Sequence, residues 1–270
     1  MKTILVTGAG GVVGTAIRPL LREDHRLALF DRRPIEGLSG QERGLVGDIG
    51  DRAALAQAMD GVDAVIHLAG CTTEAGFDDQ VAGNIVGAWN LFEAARAAGV
   101  ERVVFASTHH VVGHYPRSRR IGVEAALRPD SCYGLTKAFG EQVGAFFADQ
   151  FGLRVLSIRI GFVGQAPNDR RRLSIWISPR DLVQLIRIGL EHPGLRHAIV
   201  YGCSDNPRGF FDNAAAYRLG YRPRDTAEAF ARDVIETTPA EDGSKVGAHV
   251  IGGAIAEGGF VGCPSRIHEW

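Results

Sequence analysis

The opening stretch of the chain, MKTILVTGAGGVVG, constrains the fold more than any other, because an apolar run breaks there into evenly spaced glycines. Residues 4–6 are predicted to form a buried strand and a helix is predicted from residue 12 onward, so the glycines fall in the turn between them. Such a turn presents backbone N–H groups and the positive end of the helix dipole to an anion. We therefore predict a dinucleotide-binding turn whose contacts are Gly8, Gly11, Val12, Val13 and Gly14.

The spacing of these glycines, G-x-x-G-x-x-G, differs from the common dehydrogenase fingerprint G-x-G-x-x-G, and a glycine-rich turn without a ligand is the alternative. An acidic residue favours the binding interpretation. The next apolar run, residues 27–30, is followed by Asp31, where a carboxylate would hold a ribose 2′-hydroxyl. The same carboxylate would repel the 2′-phosphate of NADP, so the predicted cofactor is NAD. Arg32 is assigned to the cofactor site as well, although Arg32 and Arg33 are also consistent with solvated loop charges.

Segments of strand length and helix length alternate after this point. Strands are predicted at residues 44–46, 62–68, 102–106 and 153–160, and helices at 51–59, 78–98 and 133–151. The alternation has no repeat of fixed period and predicts an α/β protein with a Rossmann-type, doubly wound parallel sheet. Further cofactor contacts are assigned to Asp48, Ile49, Leu68, Ala69, Gly70, Asn84 and Ser107. For Asp48, a helix cap is an equal alternative.

The alternation loosens in the second half of the chain. A helix is predicted at 180–190, a strand at 197–201 and short helices at 211–219 and 226–235, whereas the glycine-rich tail after Asp242 has no clear periodicity. We expect residues 1–160 to form the NAD-binding Rossmann core and residues 161–270 a small C-terminal substrate-binding lobe. Because no linker-like segment separates them, the two are expected to pack as one compact unit.

The composition argues against several classes of partner. A formal net charge of −1 does not suit a nucleic-acid partner, since phosphate binding needs a basic excess. No apolar run is long enough to span a membrane. The four cysteines are scattered without a C-x-x-C pair, so neither a zinc site nor a disulfide framework is indicated. We therefore expect a cytoplasmic protein without a bound metal.

Tyr133 and Lys137 are the most informative candidates for catalysis, since an i, i+4 spacing on a helix places both side chains on one face. A tyrosine with an ordinary pKa of ~10 is a poor base at neutral pH, and an adjacent ammonium favours the phenolate. Thr108, after the strand at 102–106, supplies a hydroxyl that can orient a substrate oxygen. The spacing alone occurs by chance on many helices, but together with the glycine turn and Asp31 it indicates a catalytic set.

The motifs resemble those of the extended short-chain dehydrogenase/reductase superfamily, the group of the NAD-dependent epimerases and dehydratases: TGAGGVVG, the strand end FAST, and YGLTK. Longer strings resemble the uronate dehydrogenase family over almost the full length: NIVGAWNLFEAAR at 84–96, HHVVGHYPR at 109–117, RPDSCYGLTK at 128–137, SIWIS at 174–178 and LGYRPRD at 219–225. The resemblance implies oxidation of the C1 hemiacetal of a hexuronic acid, of the galacturonate or glucuronate type, to the aldarolactone with hydride passing to NAD. It also implies a homo-oligomer.

The same resemblance implies roles for individual residues. Tyr133 is the general base, Lys137 lowers its pKa and holds the nicotinamide ribose, and Thr108 occupies the position of the catalytic Ser/Thr. The implied substrate pocket consists of Thr72, Thr108, His109, His110, Tyr133, Phe162 and Arg171. Arg171 suits this pocket on chemical grounds also, because a guanidinium binds a carboxylate in bidentate fashion. Residues 170–172 are otherwise consistent with three solvated charges on a loop.

Two positions of the implied pocket depart from the family pattern. His109 stands where a small amide is expected, and Phe162 stands where a small hydroxyl residue is expected. The preferred uronate is therefore left open. The cluster of His109, His110 and His114 has no second ligand set beside it, so substrate contact or core packing is a better interpretation than metal binding.

Two other functions fit parts of the pattern. Another extended sugar dehydrogenase or a nucleotide-sugar epimerase would share the motifs, but epimerases usually carry a larger C-terminal lobe than the about 100 residues that follow the core here. A dinucleotide-binding regulator without turnover has little need of an intact tyrosine, lysine and hydroxyl set. The dehydrogenase interpretation therefore ranks first.

Overall fold

The computed structural model describes residues 1–72 and 75–269 of the chain. Its strands are β1 (Thr3–Thr7), β2 (Arg26–Asp31), β3 (Glu42–Val46), β4 (Ala64–His67), β5 (Arg102–Thr108), β6 (Arg154–Ile160), β7 (Phe162–Val163), β8 (Trp176–Ile177) and β9 (His197–Gly202). Within the described ranges, seven strands form one parallel sheet in the order β3-β2-β1-β4-β5-β6-β9, and β7 pairs with β8 separately. The predicted doubly wound parallel sheet is thereby confirmed.

The helices include those expected at 51–59, 133–151 and 180–190. They are α1 (Val12–Leu21), α2 (Arg52–Ala58), α3 (Phe77–Gln80), α4 (Gly87–Ala97), α5 (Cys132–Phe151), α6 (Arg172–Ile175), α7 (Pro179–Glu191), α8 (Ala214–Arg218) and α9 (Ala231–Thr237). Short 3-10 turns occur at His109–Val112, Ala227–Phe230, Val246–Ala248, Gly253–Glu257 and Pro264–Glu269. In the part of the chain that the structure describes, no helix is long and apolar enough to cross a membrane.

Helices cover both faces of the sheet. Ile4 and Val6 of β1 pack in the cluster that holds α1 and α7, whereas Leu5 packs in the cluster that holds α2, α4 and α5. Successive residues of a strand point to opposite faces, so burial on both faces makes the strands continuous apolar runs. This is why they are readable in the sequence.

The strand order reverses between β1 and β4, whose last residues Thr7 and His67 are paired neighbours. A crevice outside the carboxyl ends of the strands at such a reversal is where open α/β sheets bind ligands. The glycine turn follows β1 and the segment 68–70 follows β4. Both therefore lie at this crevice, and Thr108 ends the next strand along.

The expected division at residue 160 cuts through the main sheet. β9 pairs with β6, and residues of α7 such as Leu182 and Leu185 pack in the same buried cluster as β1. Two elements of the Rossmann layer therefore come from the segment that the sequence assigns to the lobe. Of the rest of that segment, α8 packs against β9, and α9 packs with Leu173 and Trp176 next to the β7–β8 pair.

The long helix expected at 78–98 is present from residue 77 to residue 97, with a change of helix type inside it. A π-helical turn, Val81–Val86, joins α3 to α4. Asn84 lies in this turn, where its Oδ1 accepts from the backbone N–H of Cys71 at 2.8 Å and its Nδ2 donates to Thr136 Oγ1 at 3.0 Å. The wide turn thus ties the segment after β4 to α5. Such changes of helix type do not alter the apolar periodicity enough to be read from sequence.

The short helices of the lobe also differ from their expected bounds. The helix expected at 211–219 is limited to α8, because the N–H of Asp212 donates to the Ile121 carbonyl and Phe211 bridges to Ile121 in extended form. The helix expected at 226–235 begins as a 3-10 turn and ends later, at Thr237. Tertiary contacts outside the helix set these ends.

Candidate active site

The glycine turn has the geometry that a pyrophosphate requires. Gly8 has a φ of 69°, and a Cβ there would lie 2.6 Å from the backbone N of Ala69. A Cβ at Gly14 would lie 2.5 Å from the carbonyl oxygen of Ala9, so only glycine lets α1 pack this closely. Gly11, the exposed N-cap of α1, provides no side-chain cap for the first N–H groups of the helix. These donors fit the phosphates of a dinucleotide.

Asp31 ends β2 beside this turn. Its Oδ2 accepts a hydrogen bond from the backbone N–H of Gly10 at 3.0 Å, and its Oδ1 accepts one from the N–H of Arg33 at 3.3 Å. The side chains of Arg32 and Arg33 are exposed, whereas Asp31 is half-buried. The carboxylate is therefore held in place at the crevice, where its remaining lone pairs can accept from the two hydroxyls of a ribose.

Replacing Asp31 with Asn is expected to shift the ratio of kcat/KM for NADP to that for NAD upward by about 10- to 100-fold, since a hydrogen bond to a charged group contributes roughly 1.5–3 kcal/mol. Asn keeps an oxygen that can accept from Gly10 N–H, so the change isolates the negative charge. Steady-state kinetics with both cofactors measure the ratio. Arg33→Gln serves as a control that leaves Asp31 intact, and an unaltered ratio in Asp31→Asn would remove Asp31 from cofactor selection.

The other predicted cofactor residues fall in two settings. Leu68, Ala69 and Gly70 follow β4 at the crevice and are partly or fully exposed, as contact with a ligand requires. Ile49 is buried at 7% exposure and packs in the core, and the buried hydroxyl of Ser107 donates to Glu141 Oε1 at 2.6 Å. Asn84 is buried as well. Ile49, Ser107 and Asn84 therefore stabilise the segments that line the crevice.

Asp48 is exposed, and its Oδ1 accepts from the N–H of Gly50 at 2.7 Å. The helix cap that the sequence offered as an alternative belongs to Asp51, whose side chain accepts from the N–H groups of Ala53 and Ala54. Asp48 therefore shapes the turn after β3 and does not cap α2.

Thr108, Tyr133 and Lys137 come together at the carboxyl end of β5. The side chain of Thr108 is close enough to Tyr133 to lower the pKa of the phenol. Helix α5 begins after Ser131, whose Oγ accepts from the N–H of Gly134 at 3.1 Å, so Tyr133 lies in its first turn and Lys137 in its second. The ammonium of Lys137 is buried, 4.8 Å from the centre of the Phe105 ring.

Burial has the largest effect on the pKa values of Tyr133 and Lys137. It raises the pKa of Tyr133 to about 12, because the phenolate is poorly solvated there, and the hydrogen bond with Thr108 offsets this only in part. Burial also lowers the pKa of Lys137 to about 8, against the opposing influence of Cys71 and Glu141. Thr108 is the group that lowers the pKa of Tyr133 in this structure, and the role of Lys137 toward Tyr133 stays a prediction.

His109 and His110 begin the 3-10 turn after β5, with ring centroids 4.1 Å apart. His110 Nδ1 lies 2.7 Å from Asp130 Oδ2, and its ring centroid lies 6.1 Å from that of Tyr133. His109 Nδ1 lies 3.1 Å from the carbonyl oxygen of Ile160. Among the residues described, no three His, Cys, Asp or Glu side chains are grouped as a metal site. His110 is therefore the histidine beside Tyr133, and His109 lies behind it, between Ile160 and Arg171.

The three consecutive arginines of the lobe have three different environments. Arg170 donates to the carbonyl oxygens of Ile235 and Thr238. Arg171 Nη1 lies 3.3 Å from His109 Nε2 and donates to the carbonyl oxygen of Ile251 at 3.0 Å. Arg172 pairs with Asp169 and lies 4.3 Å from the centre of the Phe162 ring. Only Arg171 is placed against the histidines of the pocket, which separates it from a solvated loop charge.

Phe162 and Thr72 complete the predicted pocket residues. Phe162 is partly buried and packs against two apolar clusters of the lobe. Thr72 is exposed and is the last described residue before the gap at 73–74. The assignment of Thr72 to the pocket stays a prediction.

Several residues of this region carry no sequence signal that would have singled them out. Asp130 is buried against His110, and the glycine-rich tail reaches the site, where the N–H of Gly252 donates to the Gly113 carbonyl at 2.9 Å. Cβ atoms at Gly113 or Gly252 would both collide with Asp130. The string IGG at 251–253 is the sequence signal for a close backbone contact here, but a glycine does not indicate which residue it packs against.

Comparison with known proteins identifies the class that this fold and site define. The model of the NAD dependent epimerase/dehydratase family matches residues 4–184, and the chain belongs to that family. NAD is accordingly its cofactor, as the sequence predicts.

More closely related proteins are uronate dehydrogenases. The chain is 42% identical over 258 residues to uronate dehydrogenase of Pseudomonas putida, covering 95% of this chain and 96% of the relative. The crystal structure of uronate dehydrogenase from Agrobacterium tumefaciens is 39% identical, with a TM-score of 0.91 over 95% of this chain and 97% of that one. A tyrosine-to-alanine variant of that enzyme, complexed with NAD, gives a TM-score of 0.91 at 38% identity over the same shares. The resemblance drawn from the sequence is confirmed.

Proposed function

We propose that the chain oxidises a hexuronic acid of the galacturonate or glucuronate type at C1, giving the aldarolactone and passing hydride to NAD. The observation that carries this proposal is the position of Arg171, a half-buried guanidinium that contacts His109 one residue from Thr108. A carboxylate on the sugar distinguishes a uronate from a neutral sugar, and a guanidinium recognises that group. The relatives named above support the same substrate class.

Each residue of the site has its own role in this reaction. Tyr133 takes the proton of the C1 hydroxyl, Thr108 orients that oxygen, and Lys137 holds the ribose of the cofactor and favours the phenolate. NAD, held by the glycine turn, Asp31 and Lys137, would supply the hydride acceptor and a positive charge near Tyr133. His110, fixed by Asp130, faces the sugar, and Thr72 and Phe162 complete the pocket walls.

The direct test is to mix the purified protein with NAD or NADP and a panel of galacturonate, glucuronate, mannuronate, neutral sugars and nucleotide sugars, and to follow nicotinamide reduction by absorbance. Reduction with NAD and a uronate is expected, with the aldarolactone identified by mass spectrometry. Reduction by neutral sugars alone would assign another sugar dehydrogenase, and epimerised nucleotide sugar would assign an epimerase. No reduction with any uronate overturns the proposal.

Replacing Arg171 with Ala is expected to raise the KM for uronates by about 10- to 100-fold with a smaller change in kcat, because a charged hydrogen-bonding partner of the substrate is lost. The KM for NAD should stay unchanged. Arg170→Ala is the matched control, since Arg170 bonds only to carbonyl groups of the lobe among the contacts described. Equal KM values in the two variants would place the carboxylate elsewhere.

The assembly and location of the protein are part of the same proposal. Exposed aromatic side chains line α4 and α5, with Trp89 stacked on Phe146 at a centroid distance of 6.0 Å and Phe151 beside them. An exposed apolar patch of this kind supports a homo-oligomer, which sedimentation equilibrium can test.

No disulfide joins the four cysteines, which lie within the described ranges and suit a reducing cytoplasm. Cell fractionation tests that location.

A further inference from the structure

His109 has a partner at each ring nitrogen. Nδ1 lies 3.1 Å from the carbonyl oxygen of Ile160, and Nε2 lies 3.3 Å from Nη1 of Arg171. A carbonyl oxygen only accepts, so Nδ1 must carry the hydrogen; a guanidinium only donates, so Nε2 must present its lone pair. The two partners together select one neutral tautomer, in which the imidazole accepts a hydrogen bond from Arg171.

The surroundings of His109 leave little of the ring for a substrate. Its exposed fraction is 3%, and the ring of His110 lies against it at 4.1 Å between centroids. Burial, His110 and Arg171 all lower the pKa of His109 well below its usual value, so the ring is neutral at physiological pH and keeps its accepting nitrogen. Because both ring nitrogens have partners and the ring is covered, His109 is placed to act on Arg171.

The tail holds Arg171 from the other side. The carbonyl oxygen of Ile251 accepts from Nη1 at 3.0 Å, and Gly253, with a φ of 66°, packs so closely that a Cβ there would collide with the guanidinium. The tail is itself fixed by Arg117, which donates to the carbonyl oxygens of Val250 at 2.8 Å and Gly247 at 2.6 Å. Arg171 is therefore seated between His109 and the tail, with one nitrogen, Nη1, used by both.

We propose that His109 is a positioning residue: through Nε2 it fixes the guanidinium of Arg171 in the orientation that binds the carboxylate of the sugar, without touching the sugar itself. This inference rests on the proposed function, since it takes Arg171 as the carboxylate ligand. The small amide of the family pattern has a shorter side chain than imidazole, and the longer ring is what spans from Ile160 to Arg171 here. The discrimination between uronates and neutral sugars then depends on two residues, of which only one contacts substrate.

The test is a double-mutant cycle with His109→Phe and Arg171→Ala, each measured for kcat and KM with the preferred uronate and for KM with NAD. Phe keeps a ring of similar size and lacks both nitrogens. His109→Phe is expected to raise the KM for the uronate by about tenfold with the KM for NAD unchanged, and to add nothing in the Arg171→Ala background. His109→Gln, whose amide oxygen can accept from Arg171, is expected to recover most of the loss. Should His109→Phe not fold, His109→Leu, which also lacks both nitrogens, takes its place in the cycle.

The outcomes separate this inference from the function on which it rests. Wild-type protein that reduces NAD with no uronate overturns both. Wild-type turnover together with an unaltered KM in His109→Phe and His109→Gln overturns the role of His109 alone. Additive effects in the cycle mean that His109 contacts the sugar directly and also overturn it. A non-additive cycle with recovery by Gln supports it.

Discussion

Replacing Tyr133 with Phe is expected to lower kcat with uronates by about 10³-fold, within the 10²–10⁴-fold range of general acid–base catalysis. Phe retains the ring and removes the one hydroxyl that can take the proton of the C1 hydroxyl in this site. The ring of Tyr133 packs at the pocket, 6.1 Å from His110 between centroids, so the fold and the binding of NAD should persist. Steady-state kinetics and calorimetric titration with NAD measure the two effects.

A matched control for this variant is Tyr217→Phe, which removes the hydroxyl of a partly exposed tyrosine in α8 outside the crevice. Its kcat should equal that of the wild type. The pH dependence gives a second readout: because burial raises the pKa of Tyr133 to about 12, kcat/KM should increase with pH across the neutral range. Turnover retained in Tyr133→Phe would assign the base to another group.

Replacing Glu141 with Gln is expected to lower the free energy of unfolding by roughly 3–5 kcal/mol, the cost of leaving a buried charge without its partner. Glu141 has no exposed surface and accepts from Arg159 through both oxygens, at 2.9 Å each, and from Ser107 at 2.6 Å. Burial lowers the pKa of Arg159, and the hydrogen bonds to Glu141 more than offset this in the wild type. A guanidinium stays charged in proteins, so the variant leaves Arg159 charged and without its partner. Denaturant-induced unfolding followed by circular dichroism measures the loss.

Glu236→Gln is the matched control for this prediction, because its pair with Arg232 in α9 has side chains that are 62% and 86% exposed. Surface pairs contribute about 0–1 kcal/mol, so this variant should be nearly as stable as the wild type. The double replacement Glu141→Leu with Arg159→Met should recover much of the loss, since both charges are removed together. Equal stability of Glu141→Gln and Glu236→Gln would contradict the prediction.

The ion pair explains how the catalytic helix is held. Tyr133, Lys137 and Glu141 recur at four-residue intervals on one face of α5, and Glu141 joins that face to Ser107 on β5 and Arg159 on β6. The sequence interpretation stopped at the first two members of this series. Local sequence does not link Arg159 to this series, since its partner Glu141 is 18 positions away on a helix.

The glycine turn, Asp31 and the alternation of strands and helices were predictable because each depends on short-range pattern. A parallel sheet buried on both faces demands continuous apolar strands, and a phosphate-binding turn demands glycine at fixed places. The change of helix type at Val81–Val86 and the ends of α8 were not predictable, because contacts with Thr136 and Ile121 decide them. The raised pKa of Tyr133 was likewise missed, since burial is a property of the packed site.

By itself the sequence determined the fold class, the cofactor turn, and the family resemblance that points to a sugar acid, because these follow from residue type and local spacing. The three consecutive arginines Arg170, Arg171 and Arg172 cannot be told apart by residue type, and the tertiary structure is what distinguishes Arg171. It does so by bringing His109, at the end of β5, and Ile251, in the tail, to the same guanidinium from positions 62 and 80 residues away. Contacts across such separations depend on the order of the strands and the path of the tail. Neither can be predicted from the spacing of neighbouring residues.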